Sequence, residues 1–238
     1  MEDNKQQRKI MILIPCYKEE SAIRNVASQA IQTGLGDVVI VDDGSPDKTA
    51  EEARAAGAHV IVHEVNKGKG GAMTTGFTYA LENHYDAVIT LDGDGQHPPA
   101  EIINFVNAWN ETGADMIVGS RMANTKDMPF IRLATNKFMS WLISKSLGQK
   151  VSDTQNGFRL YTAKLLPICI ACSSGGFSAE SEHLLQISLH GYTIAEAPTS
   201  TIYGEEKSKI RPIRDTIRFF KMLSHFRSEK RKFKKGQS

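Results

Sequence analysis

Two carboxylates one residue apart, Asp92 and Asp94, stand in the run Leu91-Asp92-Gly93-Asp94-Gly95-Gln96-His97-Pro98-Pro99. On a loop leaving a buried strand, such a pair can reach one hard divalent cation, and Gln96 adds a neutral oxygen. Glycines let the chain turn closely around the ion. Mg²⁺ or Mn²⁺ suits these oxygen ligands and normally bridges to substrate phosphates. The metal-free alternative is an Asx-rich turn. An EF-hand is excluded, because the position that needs an acidic ligand falls on Ile103.

Two more runs could bind a phosphorylated ligand. In Val41-Asp42-Asp43-Gly44-Ser45-Pro46-Asp47 the carboxylates could accept hydrogen bonds from a nucleobase or a ribose hydroxyl, or the run is a turn with a helix cap at Asp47. Asn66-Lys67-Gly68-Lys69-Gly70-Gly71-Ala72 is a glycine-rich loop opening a helix. Its backbone N–H groups and the ammonium groups of Lys67 and Lys69 suit an anion such as a diphosphate, though the Lys-[Ser/Thr] ending of a Walker loop is missing. Cys16, Cys169 and Cys172 are an odd set with a lone CxxC, which points to packing rather than zinc.

The elements that must hold these residues alternate. Apolar, β-branched strands at 9–15, 37–41, 58–62, 87–91 and 115–118 are separated by helices at 19–32, 47–56, 70–82 and 99–109. This pattern predicts βαβ units and a mainly parallel sheet covered on both faces. Ligands of such sheets gather outside the carboxyl ends of the strands, and most of the unusual polar residues fall there. Beyond Arg121 the alternation stops, with helices expected near 133–147, 180–189 and 212–226 and a strand near 193–202.

The chain of 238 residues is 40% hydrophobic and 24% charged, the makeup of a folded globular protein. Its polar start lacks a signal sequence, and no window is apolar enough to span a membrane, so a cytoplasmic location is expected. From Arg211 onward ten Lys or Arg face two acids, a net +8, which leaves −6 on the rest. We therefore divide the chain into a main domain, 1–210, and a basic tail, 211–238. The tail reads as an amphipathic helix with Ile213, Ile217, Phe220 and Leu223 or Ser224 on one side, suited to the anionic cytoplasmic face of a membrane. A nucleic-acid role is disfavoured, since aromatic and basic residues are not interleaved on a sheet face.

Taken in order, IPCYKEE, VVIVDDGSPDKT, NKGKGGAMTTGF, ITLDGDGQHPP, GSR, SDTQNGFRLY and IYGEEKSKI resemble the family 2 inverting glycosyltransferases of GT-A fold, and among them the dolichol-phosphate mannosyltransferase group. The resemblance implies an α/β, Rossmann-like domain that moves a hexose, with mannose first, from a nucleotide sugar to a polyprenyl phosphate. It implies donor contacts at Pro15, Tyr17, Glu19, Val41, Asp43, Lys69, Asp92 and Gly93, and a metal held by Asp92, Asp94 and Gln96. Arg121 would contact phosphate between donor and acceptor, and with Asp94 and Asp153 it forms the expected reacting centre. Asp153 would orient the sugar or acceptor, and Arg159 would hold phosphate or brace its loop. Lys207 and Lys209 are both candidates for the diphosphate. The family's Arg-x-x-x-Ser acceptor motif falls on Arg132 and Asn136, with asparagine for serine. GDP-mannose or a UDP-sugar is the implied donor, and a membrane-embedded subunit a candidate partner. The alternative is transfer of a UDP-sugar to a sugar hydroxyl in polysaccharide synthesis, with Asp153, Glu180 or Glu182 as base.

Overall fold

The run IMILIPC forms β1 (Ile10–Cys16), buried along its whole length at the centre of a seven-stranded sheet. The computed structural model describes residues 8–122, 130–172 and 179–202, with residues 224, 226, 228 and 230. Because successive strand residues point to opposite faces, one apolar run feeds two cores. Ile10, Ile12, Ile14 and Cys16 pack with α1 (Ile23–Gln32) and α4 (Ile102–Thr112). Met11 and Leu13 face the other side, towards α3 (Gly68–Glu82), α5 (Phe130–Leu147), α6 (Leu166–Ile170) and α7 (Ala179–Leu189).

Around β1 lie β2 (Asp37–Asp42) and β4 (Ala87–Thr90), both parallel to it, and β3 (His59–Val62) extends β2 in parallel; the connection between β2 and β3 is α2 (Thr49–Ala55). The full order is β3-β2-β1-β4-β6-β5-β7, with β5 (Met116–Ser120), β6 (Arg159–Thr162) and β7 (Ile194–Pro198). The expected mainly parallel sheet with helices on both faces is therefore what forms. The sequence pattern did not disclose β6, which enters antiparallel between β4 and β5. Its reversed direction sets its amino end, not its carboxyl end, beside the carboxyl ends of its neighbours. The SDTQNG segment that precedes it is thereby delivered to the edge where ligands gather.

Several elements differ from expectation. Helix α1 starts only at Ile23, because Lys18 has a positive φ and Glu19 O accepts the N–H groups of Ala22 and Ile23 in a turn. Helix α6 is an addition, and β7 ends at Pro198. Of the 211–238 tail, the described positions are helical, but Phe226 is buried in the core and Lys230 Nζ donates to Ser146 O at 2.5 Å. Part of the tail thus packs on the domain. The apolar side expected at Ile213, Ile217, Phe220 and Leu223 lies outside the described residues.

Helix α3 packs tightly on β1 at Gly76, where a β-carbon would stand 2.4 Å from Leu13 Cδ1. Leu13 is fully buried and has nowhere to move. Gly76→Ala should lower the unfolding free energy in urea by about 1–2 kcal/mol, although alanine is the better helix former by about 1 kcal/mol, because overpacking outweighs that gain. An unchanged or raised midpoint would show that α3 and β1 are not in tight contact.

Candidate active site

The loop after β4 turns through Asp92 to Gln96. Asp94 Oδ1 accepts the Gln96 N–H at 2.9 Å, so the Asx turn weighed as the metal-free alternative does form. Gly93 is buried, and a β-carbon there would stand 3.1 Å from Cys16 Cβ and 3.3 Å from Ile23 Cδ1. His97 Nδ1 accepts the Asp92 N–H at 3.2 Å, and its ring packs 5.4 Å from Phe158. Burial holds the His97 pKa below its ordinary value, which suits a neutral ring accepting that bond.

Lys69, on the first turn of α3, bridges two carboxylates. Its Nζ lies 2.5 Å from Asp92 Oδ1 and 2.7 Å from Glu180 Oε1, Glu180 being on the first turn of α7. Burial works to raise the Asp92 carboxyl, but the Lys69 ammonium, helped by His97 and Arg121, overrides it and holds the pKa at about 2. Burial likewise works against the charge on Lys69, and Asp92 and Glu180 raise its pKa instead. Gly157 closes the cluster from below: a β-carbon there would meet Glu180 Oε1 at 2.8 Å, Lys69 Nζ at 3.0 Å and Asp92 Oδ2 at 3.2 Å.

The second cluster sits at the end of β5. Arg121 Nε and Nη2 donate to Asp153 at 2.6 and 2.8 Å, the Arg121 N–H reaches the same carboxylate at 3.2 Å, and Asn136 Nδ2 donates at 2.8 Å. Asp153 is fully buried. Burial would raise its carboxyl, yet the Arg121 hydrogen bond and charge, with Asn136, hold it below the ordinary value. Arg121, Asn136 and Asp153 are therefore brought together, and Asp153 holds the arginine rather than facing open space.

Two of the residues named from the sequence are held by internal partners. Asp43 is 2% exposed and accepts from His63 Nδ1 at 2.7 Å, Lys67 N at 2.8 Å and Gly68 N at 2.7 Å. The anion at the start of α3 is thus the chain's own carboxylate, which occupies the N–H groups read as a diphosphate cradle. On the other side of the ring, His63 Nε2 is hydrogen-bonded with Thr75 Oγ1 at 2.8 Å. Arg159 is fully buried, and its Nε, Nη1 and Nη2 donate to Asn156 O, Glu180 O and Thr154 O at 2.7, 2.6 and 2.8 Å. Of the two roles the resemblance implied for it, phosphate contact or loop brace, these bonds make the brace.

Pro15 and Val41 are register partners in β1 and β2 with buried side chains, Tyr17 is 38% exposed beyond them, and Glu19 N donates to Thr49 Oγ1 at 2.9 Å. Arg132 lies near the start of α5 with its side chain outside the described residues, as are Lys207 and Lys209 altogether. Sequence reasoning missed His63 and Gly157, and it named Glu180 only as a base. The signal available for Glu180 was its position opening a helix after a glycine-rich stretch, where an acid is favoured.

Among the described residues no three His, Cys, Asp or Glu side chains gather into a metal cage. Asp92 and Asp94 nevertheless fit a cation of the Mg²⁺ kind, which takes one or two carboxylates and completes its shell with water and substrate oxygens. The ammonium already seated on Asp92 shows that this carboxylate takes a cationic partner.

Residues 11–167 match the profile of glycosyl transferase family 2. Over 217 residues the chain is 31% identical to UDP-N-acetylglucosamine–dolichyl-phosphate N-acetylglucosaminyltransferase of Methanococcus voltae, covering 82% of this chain and 86% of that one. It is 34% identical over 206 residues to dolichyl-phosphate hexose transferase of Haloferax volcanii, with coverage of 85% and 87%. Against undecaprenyl-phosphate mannosyltransferase of Micrococcus luteus the identity is 30% over 210 residues, covering 83% and 85%. Glucosyl-3-phosphoglycerate synthase of Mycobacterium tuberculosis, solved with Mn²⁺, UDP and glucosyl-3-phosphoglycerate, superposes with a TM-score of 0.69 at 18% identity, covering 94% of this chain and 80% of that one. At that identity the likeness speaks for the fold alone, the GT-A architecture expected from the sequence. With the family profile spanning the strands and loops that build the site, this chain belongs to glycosyl transferase family 2.

Proposed function

We propose that the chain transfers a hexose from a nucleoside diphosphate sugar to the phosphate of a polyprenyl phosphate, at the cytoplasmic surface of a membrane and with a divalent metal. GDP-mannose is the first donor to test and a UDP-sugar the second. The observation that carries this reading is the commitment of two of the three candidate bases. Asp153 spends its carboxylate on Arg121 and Asn136, and Glu180 faces Lys69. A sugar-hydroxyl acceptor needs a carboxylate able to take a proton, whereas a phosphate arrives as an anionic oxygen nucleophile and needs only alignment and charge stabilisation. The names of the relatives at 30–34% identity support the same acceptor.

The charge balance supports the metal. One ammonium, Lys69, faces the carboxylates of Asp92 and Glu180, with Asp94 in the same loop, so an incoming diphosphate would be repelled without further positive charge. Mg²⁺ or Mn²⁺, held by Asp92 and Asp94 with Gln96 as a neutral oxygen, would supply it. Asp153 keeps the Arg121 guanidinium fixed at the end of β5, where a cation can meet phosphate oxygens without reorganising. Lys207 and Lys209 remain proposed diphosphate contacts, and Arg132 with Asn136 the acceptor side.

The direct test is a donor screen with Mn²⁺ and a short polyprenyl phosphate, following sugar-lipid formation. Product should form with one nucleotide sugar and fall at least about 100-fold in Asp94→Ala. Full activity of Asp94→Ala, or no nucleotide sugar consumed at all, would overturn the reading.

Lys69→Met removes the resident cation from between Asp92 and Glu180. Mn²⁺ alone should then bind more tightly, by about tenfold in calorimetry, while transfer slows. Weaker Mn²⁺ binding would mean that Lys69 does not compete for Asp92.

Asp153→Asn keeps the shape but leaves Arg121 buried without its counter-charge. It should cost about 3–5 kcal/mol of stability and slow turnover more than it weakens donor binding. Because the folded carboxyl lies below its ordinary value of 3.8, the pair's contribution is fully present above that pH and fades as pH falls through the lower folded value. Parent stability should thus show no Asp153-linked loss between about pH 5 and 8, and a loss in that range that Asp153→Asn abolishes would contradict this assignment.

A further inference from the structure

Helix α5 has two faces of opposite character. Asn136, Ser140, Ile143 and Leu147 are buried and recur at the spacing of one helical stripe. At about 100° per residue, Phe138, Trp141 and Lys145 fall on the reverse side. There Phe138 is 53% and Trp141 56% exposed, their rings stack 6.3 Å apart, and Lys145 Nζ stands 5.4 Å from the Trp141 ring centre. Lys137 is exposed next to them.

On the reading that the acceptor is a polyprenyl phosphate, we propose that this outer face of α5 is the surface by which the chain lies on an anionic lipid bilayer. Phe138 and Trp141 enter the boundary between headgroups and acyl chains, and Lys137 and Lys145 meet lipid phosphates. Tryptophan is suited to that boundary because its ring is apolar in body and carries one N–H. Lysine stems can lie along the aromatic surface while their ammonium groups stay in the headgroup layer. No described helix is long and apolar enough to cross a membrane, so a surface contact is the form of attachment these elements offer.

Charge complementarity extends beyond α5. Lys230 is docked on α5 through Ser146 O, with Phe226 in the core, and the sequence around it is Arg227, Arg231, Lys232, Lys234 and Lys235. Each basic residue near an anionic leaflet adds about fivefold in affinity. A second copy of this chain is the poorer occupant. Two aromatic side chains bury at most about 150–250 Å² each, well short of the roughly 1,000 Å² of a specific protein interface.

The placement also serves the chemistry. Asn136, on the inner side of the same helix, donates to Asp153, which holds Arg121. One helix diameter, about 10 Å, therefore separates lipid contact from Asn136, and Asp153 links that side chain to the arginine at the end of β5. A lipid phosphate could reach that end while its chain stays in the bilayer.

The test uses the full chain with phosphatidylcholine vesicles, with and without phosphatidylglycerol. The parent should sediment with the mixed vesicles, salt should release it, and its fluorescence should shift to the blue unless Trp141 is replaced, as in Trp141→Phe. Phe138→Ala with Trp141→Ala should weaken sedimentation at least about tenfold, with circular dichroism and thermal midpoint unchanged. Lys137→Glu with Lys145→Glu should lower binding to the anionic vesicles selectively. Unaltered vesicle binding in the aromatic double variant overturns the proposal. So does a parent dimer that this variant converts to monomer without changing vesicle binding, since the face would then belong to a second copy. Transfer is read separately: the aromatic variant should use a water-soluble short-chain polyprenyl phosphate as the parent does and lose the bilayer-embedded one. If the parent glycosylates neither, the acceptor assignment fails, while sedimentation still decides the docking face.

Discussion

A single buried arginine fixes how the second half of the chain meets the first. Arg159 opens β6, is shielded from water on every side, and cannot shed its proton. Its charge has to be met by dipoles, and the carbonyls of Thr154, Asn156 and Glu180 meet it. Those carbonyls belong to the loop that carries Asp153 and Gly157 and to the first turn of α7. The solvation demand of one guanidinium thus ties both segments to the sheet edge. His183 lies in the same interior, where burial and the Arg159 charge push its pKa down to about 3, so the core carries no second cation there.

Carboxylates in this protein divide by what surrounds them. Asp43 and Asp153 are 2% and 0% exposed and have several internal donors each, so their energy goes into holding a helix start and an arginine. Asp92 keeps 30% of its side chain exposed and has one flexible cation against it. A ligand can displace an ammonium on a long side chain; it cannot readily displace backbone N–H groups fixed in a helix. Asp92 of the DGDG loop is therefore freer to respond to a ligand than Asp43 or Asp153.

The first half of this arrangement was legible in the sequence because its signals are local. Apolar runs gave β1 to β5, and the acids after β4 stood at a strand end. What was not legible depends on distant partners. Strand β6 is four residues long, begins with a charged residue and is buried on both faces between β4 and β5, so no period marks it. Asp43 looks like a ligand contact until His63 and the N–H groups of Lys67 and Gly68, 20 to 25 residues further on, are folded against it. For Arg159 the sequence left phosphate contact and loop brace both open, because the Glu180 carbonyl that joins its nearby partners Thr154 O and Asn156 O lies 21 residues further on.

The antiparallel course of β6 accounts for Gly157. A loop that must cross from α5 to an antiparallel strand between β4 and β5 has to pass directly beneath Lys69, Asp92 and Glu180. With those atoms 2.8 to 3.2 Å from where a β-carbon would stand, no side chain fits. The glycine is needed for close approach, not for an unusual φ, which separates it from Gly95, whose φ is +78°. One constraint thus runs through the site: the antiparallel strand brings Asp153 to Arg121 at the edge built by the parallel strands, and the absence of a side chain at Gly157 lets the ionic cluster form above it.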